Sequence, residues 1–92
     1  MRTLRAFWTD HADAEATLRA WYMDARRSEW KTPQDIKVVY PNASVLPENR
    51  VVFNVRGNTY RLVVAVNYEF GAIYVRFVGT HAEYDKIDAR TI

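Results

Sequence analysis

The chain of 92 residues contains no cysteine, only three glycines and three prolines, and no long hydrophobic run. The absence of cysteine excludes disulfides, thiolate metal sites and cysteine nucleophiles. Because small secreted domains are commonly held together by disulfides, it also favours a reducing cytosol. No apolar run approaches the roughly 20 residues that span a bilayer, and the first residues lack the apolar stretch of a signal peptide. We therefore expect a soluble cytoplasmic protein with no membrane partner.

The composition is that of a folded domain with a weak positive charge. Hydrophobic residues make up 49% and aromatic residues 14% of the chain, which argues against disorder. The length fits a single domain, expected over residues 1–92. The net charge is +2, and residues 50–92 carry six basic and four acidic side chains. Ten of the 13 basic residues are arginine, whose planar fork suits phosphate, so a nucleic-acid partner is permitted but not required.

The first 40 residues have the periodicity of helices. Apolar side chains recur at helical spacing over residues 4–11, 18–25 and 36–40. Thr32 can cap the third of these helices, and Pro33 fits its first turn, where a missing N–H costs nothing. The sequence therefore predicts a helical N-terminal half.

The second half has the alternation of β-strands. Residues 41–50 are rich in turn formers and are predicted to form a surface loop. Three alternating runs follow, over Arg50–Val55, Tyr60–Asn67 and Ala72–Thr80, with connections short enough for hairpins. We predict an α+β domain in which the N-terminal helices pack on one face of a small antiparallel sheet, a three-stranded meander.

The period of two assigns the strand residues to two faces of the sheet. The face toward the helices is expected to hold Phe53, Val55, Leu62, Val64, Val66, Ile73, Val75 and Phe77. The opposite face is expected to hold Val52, Asn54, Arg61, Val63, Arg76 and Val78. Two arginines on adjacent strands, away from the helices, suggest a functional surface. The alternative is that both are solvated and paired with Asp or Glu.

The residues after the third run bring several polar groups together. Thr80 and Glu83 have the spacing of a capping box, which predicts a short helical turn. That turn gathers His81, Tyr84 and Lys86, whose side chains could move protons or hold phosphate. In the structural alternative, His81 caps the strand end, Tyr84 packs on the sheet edge and Lys86 lies in solvent.

Several chemistries have no motif in this sequence. There is no Gly-rich phosphate loop, no nucleophile elbow and no His-Glu-x-x-His. Asp10, His11 and Asp13 are close in sequence, but a solvated helix start explains them better than a metal site, and zinc is disfavoured without cysteine. We expect neither a metal nor another cofactor.

Two long motifs in the second half are specific. Phe53-Asn-Val-Arg-Gly-Asn-Thr-Tyr-Arg-Leu-Val and Thr80-His-Ala-Glu-Tyr-Asp-Lys resemble the HigB family of bacterial toxins. The likeness extends back through Trp30-Lys-Thr-Pro-Gln-Asp-Ile-Lys and residues 40–46, so it covers most of the chain. HigB proteins are the toxic halves of type II toxin–antitoxin pairs and belong to the RelE-like group of mRNA interferases.

This resemblance implies a metal-independent endoribonuclease that cuts mRNA, usually on the ribosome. In the RelE-like group the RNA 2′-hydroxyl attacks the adjacent phosphodiester and leaves a 2′,3′-cyclic phosphate. The implied partners are mRNA, the ribosome and a HigA-like helix-turn-helix antitoxin, with operator DNA bound only through the toxin–antitoxin complex. Some members of the RelE/ParE superfamily act on DNA gyrase instead, so a binding toxin that cuts nothing is the alternative.

Site residues follow from the resemblance as a hypothesis. Arg61 and Arg76 would bind the scissile phosphate. His81 would act as general acid or base, since its ordinary pKa lies near neutrality. Tyr84 would stack on a base or help transfer a proton. Three further residues are assigned to RNA binding, the first two with the alternative that they only form the turn: Arg56, Asn58 and Lys86.

The N-terminus departs from the family pattern. Members of this group usually begin with a short strand before the first long helix, whereas here Leu4-Arg-Ala-Phe-Trp follows Met1 almost at once. Either the start codon is placed late or the strand is truncated. If the strand is absent, one sheet edge is expected to be bare.

Overall fold

The structure is a computed structural model that describes residues 2–92 and places a layer of helices against one antiparallel sheet. The helical layer consists of α1 (Arg2–Asp10), a 3-10 turn (Ala12–Ala14), α2 (Glu15–Arg27) and α3 (Pro33–Val39). The sheet consists of β1 (Ser44–Leu46), β2 (Arg50–Val55), β3 (Tyr60–Asn67) and β4 (Ala72–Thr80), followed by the short α4 (His81–Tyr84). The predicted α+β arrangement is confirmed.

The start of α3 follows the predicted capping signal. The Thr32 hydroxyl accepts a hydrogen bond from the Asp35 amide at 3.4 Å, and the Asp35 carboxylate accepts one from the Thr32 amide at 3.1 Å. Pro33 occupies the first helical position. These bonds satisfy two donors that a helix start otherwise leaves free. The hydrogen bond from the Lys31 amide, followed by that from the Thr32 amide, lowers the pKa of the Asp35 carboxylate.

The sheet has four strands in the order β1-β2-β3-β4, each antiparallel to its neighbour. The expectation of three strands was therefore wrong, because Ser44–Leu46 pairs with β2 although it lies in the segment predicted as a loop. Glu48 and Asn49 both have positive φ, 63° and 57°, in the tight connection to β2. That left-handed pair lets the chain reverse over three residues, which leaves room for a short strand.

The core lies between the helices and the sheet. Its fully buried side chains come from both layers and include Leu4, Leu18, Ile36, Val51, Leu62 and Val64. Three aromatic rings extend it toward α3, since Trp21 and Tyr40 each meet the Phe53 ring edge-on, with ring centres 5.4 and 5.2 Å apart. This packing fixes one sheet face against the helices.

The opposite face of the sheet, called the far face below, is also partly covered. Val52 and Val63 are buried there beneath Ala89. The side chains packed around these three are Leu46, Phe77, Tyr84, Ile87 and Ile92. The C-terminal segment, residues 85–92, thus lies across the middle of the far face.

A β-bulge corrects the predicted faces of β4. Val63 pairs with Phe77 but Val64 pairs with Val75, so Arg76 is an extra residue on β4. Beyond the bulge the alternation is reversed. Phe77 joins the far-face cluster, and Val78 packs against the core beneath the helices, the opposite of the sequence prediction.

β4 is an edge strand, with β3 as its only neighbour among residues 2–92. Since α1 begins at Arg2, the described residues contain no strand before it. Contacts from α1 reach β4, so a helix rather than a strand lies beside it. No helix in this part of the chain combines the length and apolar character that crossing a membrane requires.

Candidate functional site

Four of the predicted site residues lie where three elements converge at one end of the far face: Asn58, Arg61, His81 and Tyr84. These elements are the turn over residues 56–59, the first residues of β3, and α4. Arg61 lies opposite Asn54 on β2 and Gly79 on β4, one residue inside the last paired row of these strands at this end.

The Arg61 guanidinium is half-buried and has polar and aromatic neighbours. Its carbon lies over the Tyr84 ring, 5.9 Å from the ring centre. One nitrogen donates to the Asn58 side-chain oxygen at 3.4 Å and another to the main-chain oxygen of Tyr60 at 3.2 Å. No Asp or Glu of residues 2–92 forms an ion pair with Arg61. The alternative of a guanidinium neutralised by a carboxylate is therefore wrong for this residue.

Gly79 allows the neighbouring side chains to approach Arg61. A Cβ at this position would lie 2.6 Å from Cζ of Phe77 and 3.0 Å from Oε1 of Glu83, closer than packing permits. The Phe77 ring in turn lies beside the Tyr84 ring, with centres 6.5 Å apart. Because Gly79 has no side chain, α4 and its Tyr84 can lie close to the sheet.

The predicted capping box holds α4 in place. The Thr80 hydroxyl accepts from the Glu83 amide at 3.2 Å, and the Glu83 carboxylate accepts from the Thr80 amide at 2.8 Å. These hydrogen bonds lower the pKa of Glu83. The His81 amide donates to the main-chain oxygen of Thr59 at 3.2 Å, which ties α4 to the 56–59 turn.

The side chains of α4 and the residues after it differ in exposure. His81 is 53% exposed, and its Nε2 lies 3.4 Å from an Asp85 carboxylate oxygen. Thr80 caps α4, whereas the alternative that His81 caps the strand end stays a prediction. Tyr84 is half-buried in the far-face cluster, on the face of the sheet and not at its edge, and its ring also lies against Arg61. Lys86 is exposed, and its charge contributes to the lowered pKa of Glu83.

Arg56 points away from this site. Its Nε lies 3.8 Å from the Asp13 carboxylate, and its φ of 50° is left-handed. Asp13 also accepts a 2.5 Å hydrogen bond from the Tyr60 hydroxyl, which raises the pKa of that tyrosine. His11 stacks on Phe7, with ring centres 4.3 Å apart. Asp13 is therefore a structural acceptor rather than a merely solvated residue, and no metal-binding cluster of three or more His, Asp or Glu occurs within residues 2–92.

Arg76 is not brought together with Arg61. It lies three residues along β4 from Gly79, the partner of Arg61, which corresponds to about 10 Å at the rise of a strand. Its Nε donates to the main-chain oxygen of Ile92 at 3.3 Å. The structure therefore does not place both arginines around one phosphate, as the sequence analysis expected, and the roles of both stay predictions.

Sequence reasoning missed Arg50. Its Nε and Nη2 donate to the same Ile92 oxygen at 3.1 and 2.8 Å. The alternation that placed Val52 and Asn54 on the far face also places Arg50 there, and this signal was present in the sequence.

Comparisons with known proteins identify the family of this chain. A sequence model of the HigB toxin family, described as the RelE-like toxic component of a toxin–antitoxin system, matches residues 14–87. The chain is 40% identical over 58 residues to the mRNA interferase toxin HigB of Escherichia coli strain K12, which covers 61% of this chain and 56% of that protein. An mRNA interferase HigB of E. coli O6:H1 is 26% identical over 72 residues, covering 76% of this chain and 70% of the relative. The chain thus spans a little over half the length of the K12 relative.

Proposed function

The chain belongs to the HigB family of RelE-like toxins, and from this premise we propose that it is an mRNA interferase. The proposed activity is endoribonucleolytic cleavage of mRNA on the translating ribosome, without a metal or other cofactor. Inhibition of translation would then arrest growth.

One observation carries the proposal: the Arg61 guanidinium, unpaired with any carboxylate of residues 2–92, lies over the ring of Tyr84, and the short helix α4 that holds this tyrosine also carries His81. A guanidinium in this setting can bind a backbone phosphate and stabilise the charge that develops on it. Tyr84 is only half-buried and provides an aromatic ring on which a base can stack. These groups lie within residues 14–87, the part that the family model matches.

The proposed reaction divides between two kinds of side chain. The RNA 2′-hydroxyl gives up its proton as its oxygen attacks the adjacent phosphorus, the bond to the 5′-oxygen breaks, and that oxygen takes up a proton. Arg61 stabilises the phosphorane charge, and the exposed His81 exchanges a proton with the attacking or the leaving oxygen. Asn58 holds the Arg61 guanidinium from the turn, while Arg56 is directed to Asp13 and serves the fold.

The proposed partners follow from family membership. A HigA-like helix-turn-helix antitoxin would neutralise the toxin, and operator DNA would be bound only by their complex. The RNA substrate and the ribosome would meet the exposed end of the far face, where Asn54, Asn58 and His81 are open to solvent. The toxin would act in the cytoplasm.

The experiment is induction of this chain in a bacterial host, with and without the neighbouring gene, followed by mapping of mRNA 5′ ends. We expect growth arrest with new 5′ ends inside translated codons, both absent from an Arg61→Ala variant that is expressed and folded. Arrest with intact mRNA and broken chromosomal DNA would replace the proposal with a gyrase-directed toxin. Cleavage that persists in the folded variant would remove Arg61 from the mechanism.

A further inference from the structure

One carboxylate of the helical layer contacts both ends of the connection between β2 and β3. The Tyr60 hydroxyl donates to Oδ1 of Asp13 at 2.5 Å, and Oδ2 of the same carboxylate lies 3.8 Å from Nε of Arg56. Arg56 directly follows β2, and Tyr60 is the first residue of β3. The two oxygens of Asp13 therefore hold the 56–59 turn from the two strands that it joins.

The 56–59 turn has a backbone conformation that needs support from its surroundings. Arg56 and Gly57 both have left-handed φ angles, 50° and 62°. The Thr59 amide donates to the main-chain oxygen of Arg56 at 3.1 Å and closes the turn. Glycine adopts this conformation freely, but an arginine is strained in it and stays there only where neighbouring groups hold it. Within residues 2–92, Asp13 is the acidic side chain that pairs with Arg56.

Three hydrogen bonds connect this part of the chain to the groups proposed to act on RNA. The Arg61 guanidinium donates to the Asn58 side-chain oxygen at 3.4 Å and to the main-chain oxygen of Tyr60 at 3.2 Å. The His81 amide donates to the main-chain oxygen of Thr59 at 3.2 Å. A displacement of the 56–59 turn would therefore move Arg61 and His81 relative to each other.

The contact between Asp13 and Tyr60 has firm support on both sides. Asp13 belongs to the 3-10 turn, whose Ala14 is fully buried in the core. The Tyr60 side chain is 6% exposed, and its ring meets that of Phe7 edge-on, with centres 5.2 Å apart. Tyr60 and Arg61 are consecutive residues of a strand, so their side chains project to opposite faces of the sheet. Asp13 can thus influence the Arg61 site from the side of the sheet away from it.

We propose that Asp13 is a positioning residue for RNA cleavage. Its contacts with Tyr60 and Arg56 fix the 56–59 turn, and the turn orients Arg61 and His81. Asp13 itself touches neither the RNA nor the reacting atoms. The proposal rests on the function proposed above. Because a displacement of about 1 Å can slow a reaction by about 10²-fold, loss of Asp13 lowers the rate of cleavage more than the affinity for RNA.

The test is single-turnover cleavage of a defined RNA by the native chain, Asp13→Ala and Asp24→Ala, at a temperature where all three are folded. Asp24 is a matched control, because it accepts a hydrogen bond of the same length, 2.5 Å, from the Tyr40 hydroxyl, between α2 and the end of α3. We expect Asp13→Ala to lower the maximal rate constant by about 10–10²-fold. The protein concentration that gives half of this rate should stay nearly unchanged. Asp24→Ala should change neither quantity.

Two further variants test the path through Tyr60 and cover a failure of Asp13→Ala to fold. Asp13→Asn keeps a side-chain oxygen that can accept from the Tyr60 hydroxyl, so its rate should lie between those of the native chain and Asp13→Ala. Tyr60→Phe should reproduce most of the loss of rate, and adding Asp13→Ala to it should lower the rate little further. Equal losses of rate in Asp13→Ala and Asp24→Ala, or a full further loss in the double variant, would overturn the proposal.

NMR spectra recorded without RNA distinguish a failure of this proposal from a failure of the proposed function. In Asp13→Ala, the signals of the Arg61 Nε–H group and of the His81 amide should shift from their native positions, whereas Asp24→Ala should leave both in place. Unshifted signals in Asp13→Ala would overturn the positioning role even in a chain that cuts RNA. Shifted signals in a chain that cuts no RNA would support the link from Asp13 to the Arg61 site and contradict the enzymatic proposal.

Discussion

The guanidinium carbon of Arg61 lies over the ring of Tyr84, 5.9 Å from its centre, although one residue belongs to β3 and the other to α4. The contact depends on α4 lying close to the sheet, which Gly79 and the capping box of Thr80 both permit. A cation–π contact at a partly exposed site stabilises by only about 0.5–1 kcal/mol. Its importance is therefore in orientation, because it fixes one face of the guanidinium while the N–H groups that do not bond to Tyr60 and Asn58 remain for an anion.

Substitution of Arg61 should reduce cleavage far more than stability. We expect Arg61→Ala to lower the rate of RNA cleavage by about 10²–10³, the usual effect of losing one donor to a developing negative charge. Arg61→Lys should recover only part of the rate, since an ammonium cannot reproduce the planar fork. Single-turnover cleavage of a defined RNA measures both, with circular dichroism as the control for folding. Equal rates for the lysine variant and the native chain would show that charge alone is needed.

The sequence predicted the face of Arg61 but not the faces of Phe77 and Val78, which follow Arg76 on β4. Strict alternation holds along β3, so Arg61 and Val63 lie on the predicted face. In β4 the bulge at Arg76 inserts one residue and reverses the faces of the residues that follow. The sequence does not show this reversal, because Phe77 and Val78 are both apolar and each packs into an apolar cluster, on opposite faces of the sheet. The period of two reveals such a reversal only where a polar and an apolar residue exchange faces.

The capping box of α4 should matter for activity as well as for stability. Thr80→Ala removes the acceptor for the Glu83 amide, and loss of such a cap costs about 1 kcal/mol. That corresponds to a decrease in Tm of roughly 4–8 °C for a domain of this size. Because α4 carries His81 and Tyr84, we also expect a lower cleavage rate at a temperature where the variant is fully folded.

The chain provides a matched control in α3. Thr32 caps that helix through the same pair of bonds, with Asp35 in the place of Glu83. Thr32→Ala should therefore lower Tm by a similar amount and leave cleavage unchanged. Equal losses of activity in both variants would attribute the effect to general destabilisation and not to the placement of α4.

The stabilising contribution of the Glu83 carboxylate should be lost in acid. Its pKa is lowered from an ordinary value near 4.5, first by the hydrogen bond from the Thr80 amide. The unfolded chain thus takes up a proton on this residue before the folded chain does. The stabilisation is fully present above about pH 4.5 and is lost as the pH falls through the lower folded pKa. In Tm measurements against pH, the difference between the native chain and Glu83→Gln should shrink over this range.

The pH dependence has its own control. The pKa of Asp35 is also lowered by main-chain hydrogen bonds, so Asp35→Asn should remove a similar acid-dependent contribution at α3. The native chain loses both contributions in acid, whereas each variant loses one. A constant difference in Tm between the native chain and Glu83→Gln down to strongly acidic pH would contradict the assigned cause of the pKa shift.

Other features of the site depend on contacts between distant segments, which no local pattern contains. Arg50 and Arg76 meet at Ile92 only because the C-terminal segment crosses the far face. Asp13 meets Tyr60 because the 3-10 turn packs against the start of β3. The starts of α3 and α4 and the bounds of β2, β3 and β4 follow from neighbouring residues, so the sequence predicted them, whereas β1 was missed. Pairings such as these follow from the tertiary fold.

Asp13 should couple the helical layer to the sheet through Tyr60. The Tyr60 hydroxyl donates to Asp13 at 2.5 Å, and this bond raises the pKa of the tyrosine above its ordinary value of 10.0. In Asp13→Asn we expect the pKa of Tyr60 to fall toward that value, as measured by NMR of the tyrosine ring signals against pH. Because the neutral phenol is the form that bonds to Asp13, the stabilisation is present below about pH 10 and is lost as the pH rises through the folded pKa.

A second substitution tests the same bond. Tyr60→Phe removes the hydroxyl but keeps the ring packed against Phe7 and His11. We therefore expect Tyr60→Phe and the double variant Asp13→Asn, Tyr60→Phe to unfold at nearly the same temperature at neutral pH. A further large decrease in the double variant would mean that Asp13 acts mainly through Arg56, its other partner.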